Sequence, residues 1–354
     1  MKPQYNVQSM AEINKIPYNG YNVVSTFSGC GGSCLGYRMA GYKVIYANEF
    51  IPAAQNVYKL NHPEACLDTR DIRKVSAEDI LKITGLKKGE IDLLNGSPPC
   101  AAFSICGNIE KGWGTVKKYS DTTQRVDDLF FEFSRLIKGL QPKTFIAENV
   151  KGLVSGKAKG YFKLILGDLK ANGYRVKVQV LNAKYLGVPQ ARERVIFIGV
   201  RNDLEIDPVF PKPLDYFFTA GDALQKPVAA GSLFYPIPNS KMLKLYNWLL
   251  KNNKYDFKDA CESIYHTTGW FTHHRLNRHR ACHTIMQGSH AIYHDREPRT
   301  LNINELKRVC AFPDDFILTG SFRKQWERLG RAVPPVMMEH ISKTVQTEIL
   351  DKIP

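Results

Sequence analysis

The chain predicts an α/β protein: a doubly wound, mostly parallel sheet with a smaller, irregular domain inserted. Short β-rich apolar runs alternate with segments of helical spacing through the first part of the sequence. Turns rich in glycine or acidic residues follow those runs, where a parallel sheet gathers its ligand crevice. At 354 residues the chain can hold one large domain with a solid core plus a smaller one.

The elements follow in order. Residues 22–27 form a first strand that runs into the cluster Ser28-Gly29-Cys30-Gly31-Gly32. Residues 35–40 read as helix, and residues 43–50 as a second strand with Asn48 and Glu49 near its end. Residues 91–96 make a strand before Ser97-Pro98-Pro99-Cys100. Residues 127–140 carry apolar side chains at helical spacing, and 144–150 form another buried strand. A helix over 161–174 with a glycine stop precedes strands at 175–181 and 194–200. After that the character changes. Residues 201–290 are rich in Pro, His, Arg and aromatics with weak periodicity, and the tail from Arg299 returns to helical patterning. The expected division is one domain over 1–204, completed by 291–354, and a second over 205–290.

Composition narrows the function. Lys and Arg number 49 against 34 acids, a formal net charge of +15, so the field attracts polyanions and favours nucleic acid as partner. No apolar run approaches the roughly 20 residues of a membrane span, and the N-terminus lacks a signal-type apolar segment. The chain reads as cytoplasmic. Its eight cysteines contain no C-x-x-C pair, which argues against a disulfide framework. Seven of the nine histidines fall between His266 and His294, near Cys261 and Cys282. Their spacings match no paired zinc pattern, so the expectation is no metal and polar contacts to nucleic acid.

Two stretches carry chemistry. Gly29, Gly31 and Gly32 follow a strand and precede a helix, which lets backbone approach a ligand at the helix N-terminus. Glu49, at the end of the next strand, suits ribose hydroxyls. Together they favour an adenosine-containing ligand, with NAD or FAD as the other reading. Cys100 follows a strand end, Glu148 closes another strand with Asn149 and Val150, and Arg192 and Arg194 open a third. A thiol, a carboxyl and two guanidiniums at strand ends make a site for attacking an electron-poor ring.

Ordered along the chain, the motifs F-S-G-x-G-G, N-E, P-P-C, E-N-V, Q-x-R-x-R, R-x-L-x-x-x-E-x-x-R…F-P and G-x-A-V-P-P resemble those of the DNA (cytosine-5)-methyltransferase family. The match runs from about Asn22 to Ile341 and breaks only in the variable region. The resemblance implies a Rossmann-like class I methyltransferase fold and transfer to carbon 5 of a flipped cytosine in double-stranded DNA. It implies Cys100 as nucleophile, Glu148 at ring nitrogen 3, and Arg194 with Arg192 at the carbonyl oxygen. For S-adenosylmethionine it implies contacts from Phe27, Gly29, Gly31, Gly32, Glu49, Phe50, Asp71, Ile72, Pro99, Leu129 and Val333. Residues 101–125 resemble the family's catalytic loop, with Ser104 on DNA. Residues 205–290 correspond to its target-recognition domain, where Arg275, Arg278 and Arg280 are expected on DNA. The setting implied is bacterial or phage, DNA-associated, with no obligate protein partner and room for a cognate restriction endonuclease.

Two positions depart from the pattern. Ala101 stands where the family has Gln, and Arg331 where it has Asn. One change enlarges the donor pocket and the other adds a cation beside a sulfonium. Carboxy-S-adenosylmethionine, whose carboxylate could pair with Arg331, is therefore an alternative donor, giving 5-carboxymethylcytosine. A catalytically inactive DNA-binding relative is a further alternative. A tRNA-type enzyme lacks support, since the C-F-T signature of the RNA branch is absent.

Overall fold

A computed structural model describes residues 2–99, 117–119, 122–124, 128–225, 233–237, 239–288 and 290–353. Packing divides the chain into two compact units. One comprises Ala11–Asn182, Glu193–Lys212 and Met337–Pro354; the other comprises Met1–Met10, Ala183–Arg192 and Pro213–Val336. Such units describe packing, whereas the division expected from sequence describes function, so their boundaries need not coincide.

The first unit is built on a seven-stranded sheet. Its strands are β1 (Asn22–Thr26), β2 (Lys43–Asn48), β3 (Cys66–Asp68), β4 (Leu93–Gly96), β5 (Thr144–Val150), β6 (Tyr174–Asn182) and β7 (Glu193–Arg201). Their spatial order is β3-β2-β1-β4-β5-β7-β6. The first five pair in parallel, which explains why β1 and β4 are almost wholly buried rather than alternating: a parallel sheet is covered on both faces. β7 runs antiparallel to both β5 and β6. Residues 183–192 return the chain without a crossover helix, so β7 can only come back reversed.

Helices α1 (Gly32–Met39), α2 (Pro52–Asn61), α3 (Ala77–Thr84), α4 (Leu129–Leu140) and α5 (Lys159–Ala171) link the strands. α3 is specified at both ends, by a Ser76–Asp79 capping box and by Gly85 at φ 72°. α4 buries Phe130, Phe133, Leu136, Ile137 and Leu140, a one-sided stripe at helical spacing. These join Val24, Leu94, Phe145 and Phe197 in one core, where Phe133 meets Phe130 and Phe145 edge-on at ring separations of 6.1 and 6.0 Å.

In the second unit, α6 (Ser240–Lys251) and α7 (Phe257–Tyr265) pack through Leu245, Tyr246, Leu249, Phe257 and Ala260 with Tyr293. This region was expected to be irregular. Each helix is short, and the intervening Asn252-Asn253-Lys254-Tyr255-Asp256 breaks the period before a long window can register it. Short parallel pairs join His274–Arg275 to Ile292–Tyr293 and Cys282–His283 to Gln190–Ala191. α8 (Ile303–Val309) opens on an Asn302–Glu305 capping box, α9 (Phe322–Arg331) follows, and α10 (Pro335–Glu348) leads on to the C-terminus. Among the described residues no helix is long and apolar enough to cross a membrane.

Phe133 lies fully buried between α4 and the sheet. Phe133→Ala is expected to lower stability by about 3–5 kcal/mol. Urea unfolding would show this as a lower midpoint with an unchanged slope; a loss under 1 kcal/mol would mean that the core closes around the gap.

Candidate active site

The carboxyl ends of β1, β2 and β3 are tied together by their own polar groups. The Ser28 N–H donates to the Asn48 carbonyl at 3.0 Å, and the Glu49 N–H to the Asp68 carbonyl at 3.1 Å. Asn48 Nδ2 donates to the carbonyls of Asp68 and Arg70 at 3.2 and 2.9 Å. Glu49, only 7% exposed, accepts through Oε2 from the Gly29 N–H and through Oε1 from the Ile51 N–H, both at 2.7 Å. The sequence-predicted Glu49 and the glycine turn are thus joined directly, with Phe50 between Glu49 and Ile51.

The turn has an unusual backbone. Phe27 sits at φ 52°, Gly29 at 59° and Gly31 at 91°, all in the left-handed region. Around Gly29 a Cβ would meet nothing within 4 Å, so the backbone there borders open space. Gly31 differs: a Cβ would stand 2.1 Å from His62 Nε2. His62 is buried, and its Nδ1 accepts from Arg38 Nη1 at 3.0 Å. Burial and that guanidinium pull the imidazole down to about 3, so it is neutral and carries its proton on Nε2, facing the Gly31 backbone.

Past β3, Asp71 caps a single 3₁₀ turn by accepting from the Arg73 N–H at 3.0 Å. The Arg73 guanidinium bridges Asp71 at 3.2 Å and Asp128 at 2.6 Å, which fixes the start of α4 against this turn. Ile72 and Leu129 lie in the same core cluster, with Phe27 packed on it. The structure therefore brings Phe27, Gly29, Gly31, Gly32, Glu49, Phe50, Asp71, Ile72 and Leu129 to one edge of the sheet.

Two further strand ends complete that edge. β4 runs into Ser97-Pro98-Pro99, and the Pro98 carbonyl accepts from the buried Asn149 Nδ2 at 3.1 Å. In the sequence Asn149 stands out only as part of the E-N-V motif; its role in holding this segment depends on a contact between distant residues. Cys100, Ala101 and Ser104 lie outside the described residues. Glu148, beside Asn149, pairs with Arg194 of β7 at 2.7 Å between Oε1 and Nε. The register explains the pairing. Ile196 stands opposite Glu148, which places Arg194 at the diagonal position two residues along the antiparallel strand. Both side chains are nearly buried, at 10% and 13% exposure. Burial lowers the affinity of the Arg194 guanidinium for its proton, and the Glu148 carboxylate opposes that shift.

The other predicted residues belong to the second unit. Arg192 is buried and donates to the carbonyls of Ile285 and Gly330 at 3.2 and 3.0 Å. Arg331 pairs with Glu327 one turn back on α9 at 2.9 Å, and Val333 is buried. Arg275 is buried as well, donating to the carbonyls of Lys254 and Asp295 at 3.0 and 2.7 Å. Arg278 pairs with Asp295 at 2.6 Å, while His279 and Arg280 are exposed.

The model of the C-5 cytosine-specific DNA methylase family matches residues 21–347. Type II methyltransferase M1.HphI of Haemophilus parahaemolyticus is 31% identical over 335 residues, covering 91% of this chain and 86% of that protein. Type II methyltransferase M.NgoPII of Neisseria gonorrhoeae is 30% identical over 355 residues, covering 93% and 96%. Among solved structures, an E. coli prophage protein named as a DNA modification methyltransferase superposes with a TM-score of 0.70 at 24% identity, over 94% of this chain and 100% of that one. That likeness bears on fold, and it agrees with the mixed, mostly parallel sheet.

The two glycines of the turn can be told apart. Gly29→Ala meets open space and is expected to cost about 1–2 kcal/mol, the backbone penalty alone. Gly31→Ala adds a collision with His62 and should cost several kcal/mol more in urea unfolding. Equal losses would mean that His62 moves aside freely.

Proposed function

The chain belongs to the C-5 cytosine-specific DNA methylase family, and we propose that it methylates carbon 5 of a flipped-out cytosine in double-stranded DNA, with S-adenosylmethionine as donor. The observation that carries the catalytic part of this reading is the buried Glu148–Arg194 pair. It stands at the strand edge where Asn149 holds Pro98, two residues before Cys100.

The residues present fit the donor. The Gly29 backbone borders open space, and acids at successive strand ends, Glu49 and Asp71, suit hydroxyl and amine donors. Two backbone N–H groups orient the Glu49 carboxylate without exhausting it, since an ionised carboxylate offers about four acceptor sites. Glu49 would hold the ribose, Asp71 and Ile72 the adenine, and Phe27, Pro99 and Leu129 the apolar walls. When bound, S-adenosylmethionine supplies an electrophilic methyl group on a sulfonium sulfur.

The protein's own groups make cytosine able to accept that methyl. The Cys100 thiolate adds to ring carbon 6, and the displaced electrons make carbon 5 an enamine-type nucleophile. Glu148, taking up a proton as the base binds, donates it to ring nitrogen 3 and accepts from the exocyclic amine, so the negative charge that the thiolate brings to the ring is neutralised. Arg194 binds the carbonyl oxygen and keeps Glu148 oriented through its Nε. Loss of the carbon 5 proton to solvent then expels Cys100 as thiolate, restoring both the aromatic ring and the enzyme. In the duplex, neighbouring bases cover the ring faces through which the thiolate must approach and pairing occupies nitrogen 3, so the cytosine must leave the stack. Arg192 is better read as a positioning residue, because its Nη1 and Nη2 already donate to the carbonyls of Ile285 and Gly330. Within the target-recognition region, Arg280 is the arginine best placed for phosphate or base edges, while Arg275 and Arg278 shape the segment that presents it. Type II relatives support a restriction endonuclease as the companion to look for.

The carboxymethyl alternative rests on Ala101 and Arg331. Arg331 already has a carboxylate partner in Glu327, which offsets the charge that a carboxylated donor would satisfy. Methyl transfer is therefore the simpler reading. With equal concentrations of the two donors, nucleoside mass spectrometry should find 5-methylcytosine as the main product. Predominant 5-carboxymethylcytosine, lost in Arg331→Asn, would overturn the methyl reading while leaving carbon 5 as the target.

Covalent chemistry has its own test. On duplex DNA containing 5-fluorocytosine the protein should form a denaturant-stable adduct with donor present, and Cys100→Ser should abolish it. Tight DNA binding with no adduct from the unaltered protein would leave only a DNA-binding relative.

A further inference from the structure

The second unit holds a cluster that the proposed reaction does not use. Asp256, His274 and His283 each offer one ligand atom, and these atoms all lie within 4.8 Å of one another. They come from three separate stretches of backbone. Asp256 immediately precedes α7 and bridges to His274 as an isolated antiparallel pair. His274 belongs to the strand beside Ile292–Tyr293, and His283 to the strand beside Gln190–Ala191. No sequence spacing could reveal the group, because the sheet pairings create it.

The side chains are gathered closely at one place. The two imidazoles lie face to face, 3.7 Å between centroids and 4° from parallel. That is not the arrangement aromatic rings choose on their own, which is offset or edge-on. His274 Nδ1 lies 2.6 Å from Asp256 Oδ1, so the carboxylate is already directed at this ring. Arg280 is the nearby charge that would oppose a cation, and Asp256 offsets it.

We propose that Asp256, His274 and His283 bind one divalent transition-metal ion of the zinc(II) type. Two imidazole nitrogens and one carboxylate oxygen form a borderline donor set that suits zinc(II), cobalt(II) or nickel(II). Calcium and magnesium demand all-oxygen shells instead. Metal–ligand bonds of about 2.0–2.2 Å require the three donors to draw together and the rings to splay so that their lone pairs converge. Exposed Asp256 and His283 have room for that movement. Three protein ligands leave a fourth position for water. The ion would fasten the start of α7 to two short strands, in the segment that carries His279 and Arg280.

Cobalt(II) titrated into the full, chelator-stripped chain tests this through calorimetric stoichiometry, the visible absorption of the ion and the thermal midpoint. One equivalent should bind, raise the midpoint and be displaced by zinc(II). His283→Ala and Asp256→Asn should each weaken binding roughly tenfold or more. Both positions are exposed, so the metal-free midpoint should hardly move, and this separates a lost ligand from a misfolded variant. The controls His266→Asn and Cys66→Ser, at an exposed histidine and an exposed thiol, should bind as the unaltered protein does. The proposal fails if no stoichiometric binding appears, if binding survives in both His283→Ala and Asp256→Asn, or if Cys66→Ser abolishes it.

Discussion

Two opposite charges, Glu148 and Arg194, are buried against each other at the end of a sheet, and this arrangement constrains much of what surrounds it. Removing two ions from water costs several kcal/mol each, and their attraction recovers this only when geometry is good. The geometry here comes from register. A shift of β7 by one residue would turn Arg194 to the opposite face of the sheet and leave Glu148 without its partner. The reversed direction of β7 is therefore part of the site. An all-parallel sheet would have brought a different end of that strand to the carboxyl edge.

The glycine-turn end of the edge obeys a related constraint, with backbone in the role of the cation. Glu49 is almost buried, and the N–H groups of Gly29 and Ile51 supply its compensating dipoles. One carboxylate thus joins the turn after β1 to the start of α2. Gly31 completes the arrangement because the chain turns at φ 91° directly against His62. Strain and charge compensation are concentrated in the same few residues, as expected where a ligand must approach backbone closely.

The strands that form this edge are legible in the sequence because their signals are local. β1, β4 and β5 are short apolar runs, each ending in residues too polar for the interior they enter. Direction and partnership are not local. The reversal of β7 depends on a connection that lacks a helix, and a strand's apolar content is the same in either direction. The pair α6 and α7 leaves a weak signal in the sequence because each apolar face is only a few turns long and is buried against the other and Tyr293. The grouping of Asp256, His274 and His283 is hidden for the same reason, since three strand pairings bring it about.

Charge was the least transferable of the sequence signals. A net charge of +15 says that polyanions are attracted, but it does not say which cations meet them. Arg192 and Arg275 look like binding arginines in the sequence, yet both are buried, with Nη1 and Nη2 of Arg192 and Nε and Nη1 of Arg275 on main-chain carbonyls. Arginine suits that work because its planar, permanently charged fork can satisfy several carbonyls at once. Such a residue contributes to the long-range field while making no contact with a partner. A phosphate-contacting residue needs an accessible donor, and in the stretch from Arg275 to Arg280 the exposed cation is Arg280. The buried arginines instead tie down main chain: Arg275 holds the carbonyls of Lys254 and Asp295, beside the segment from which Arg280 projects.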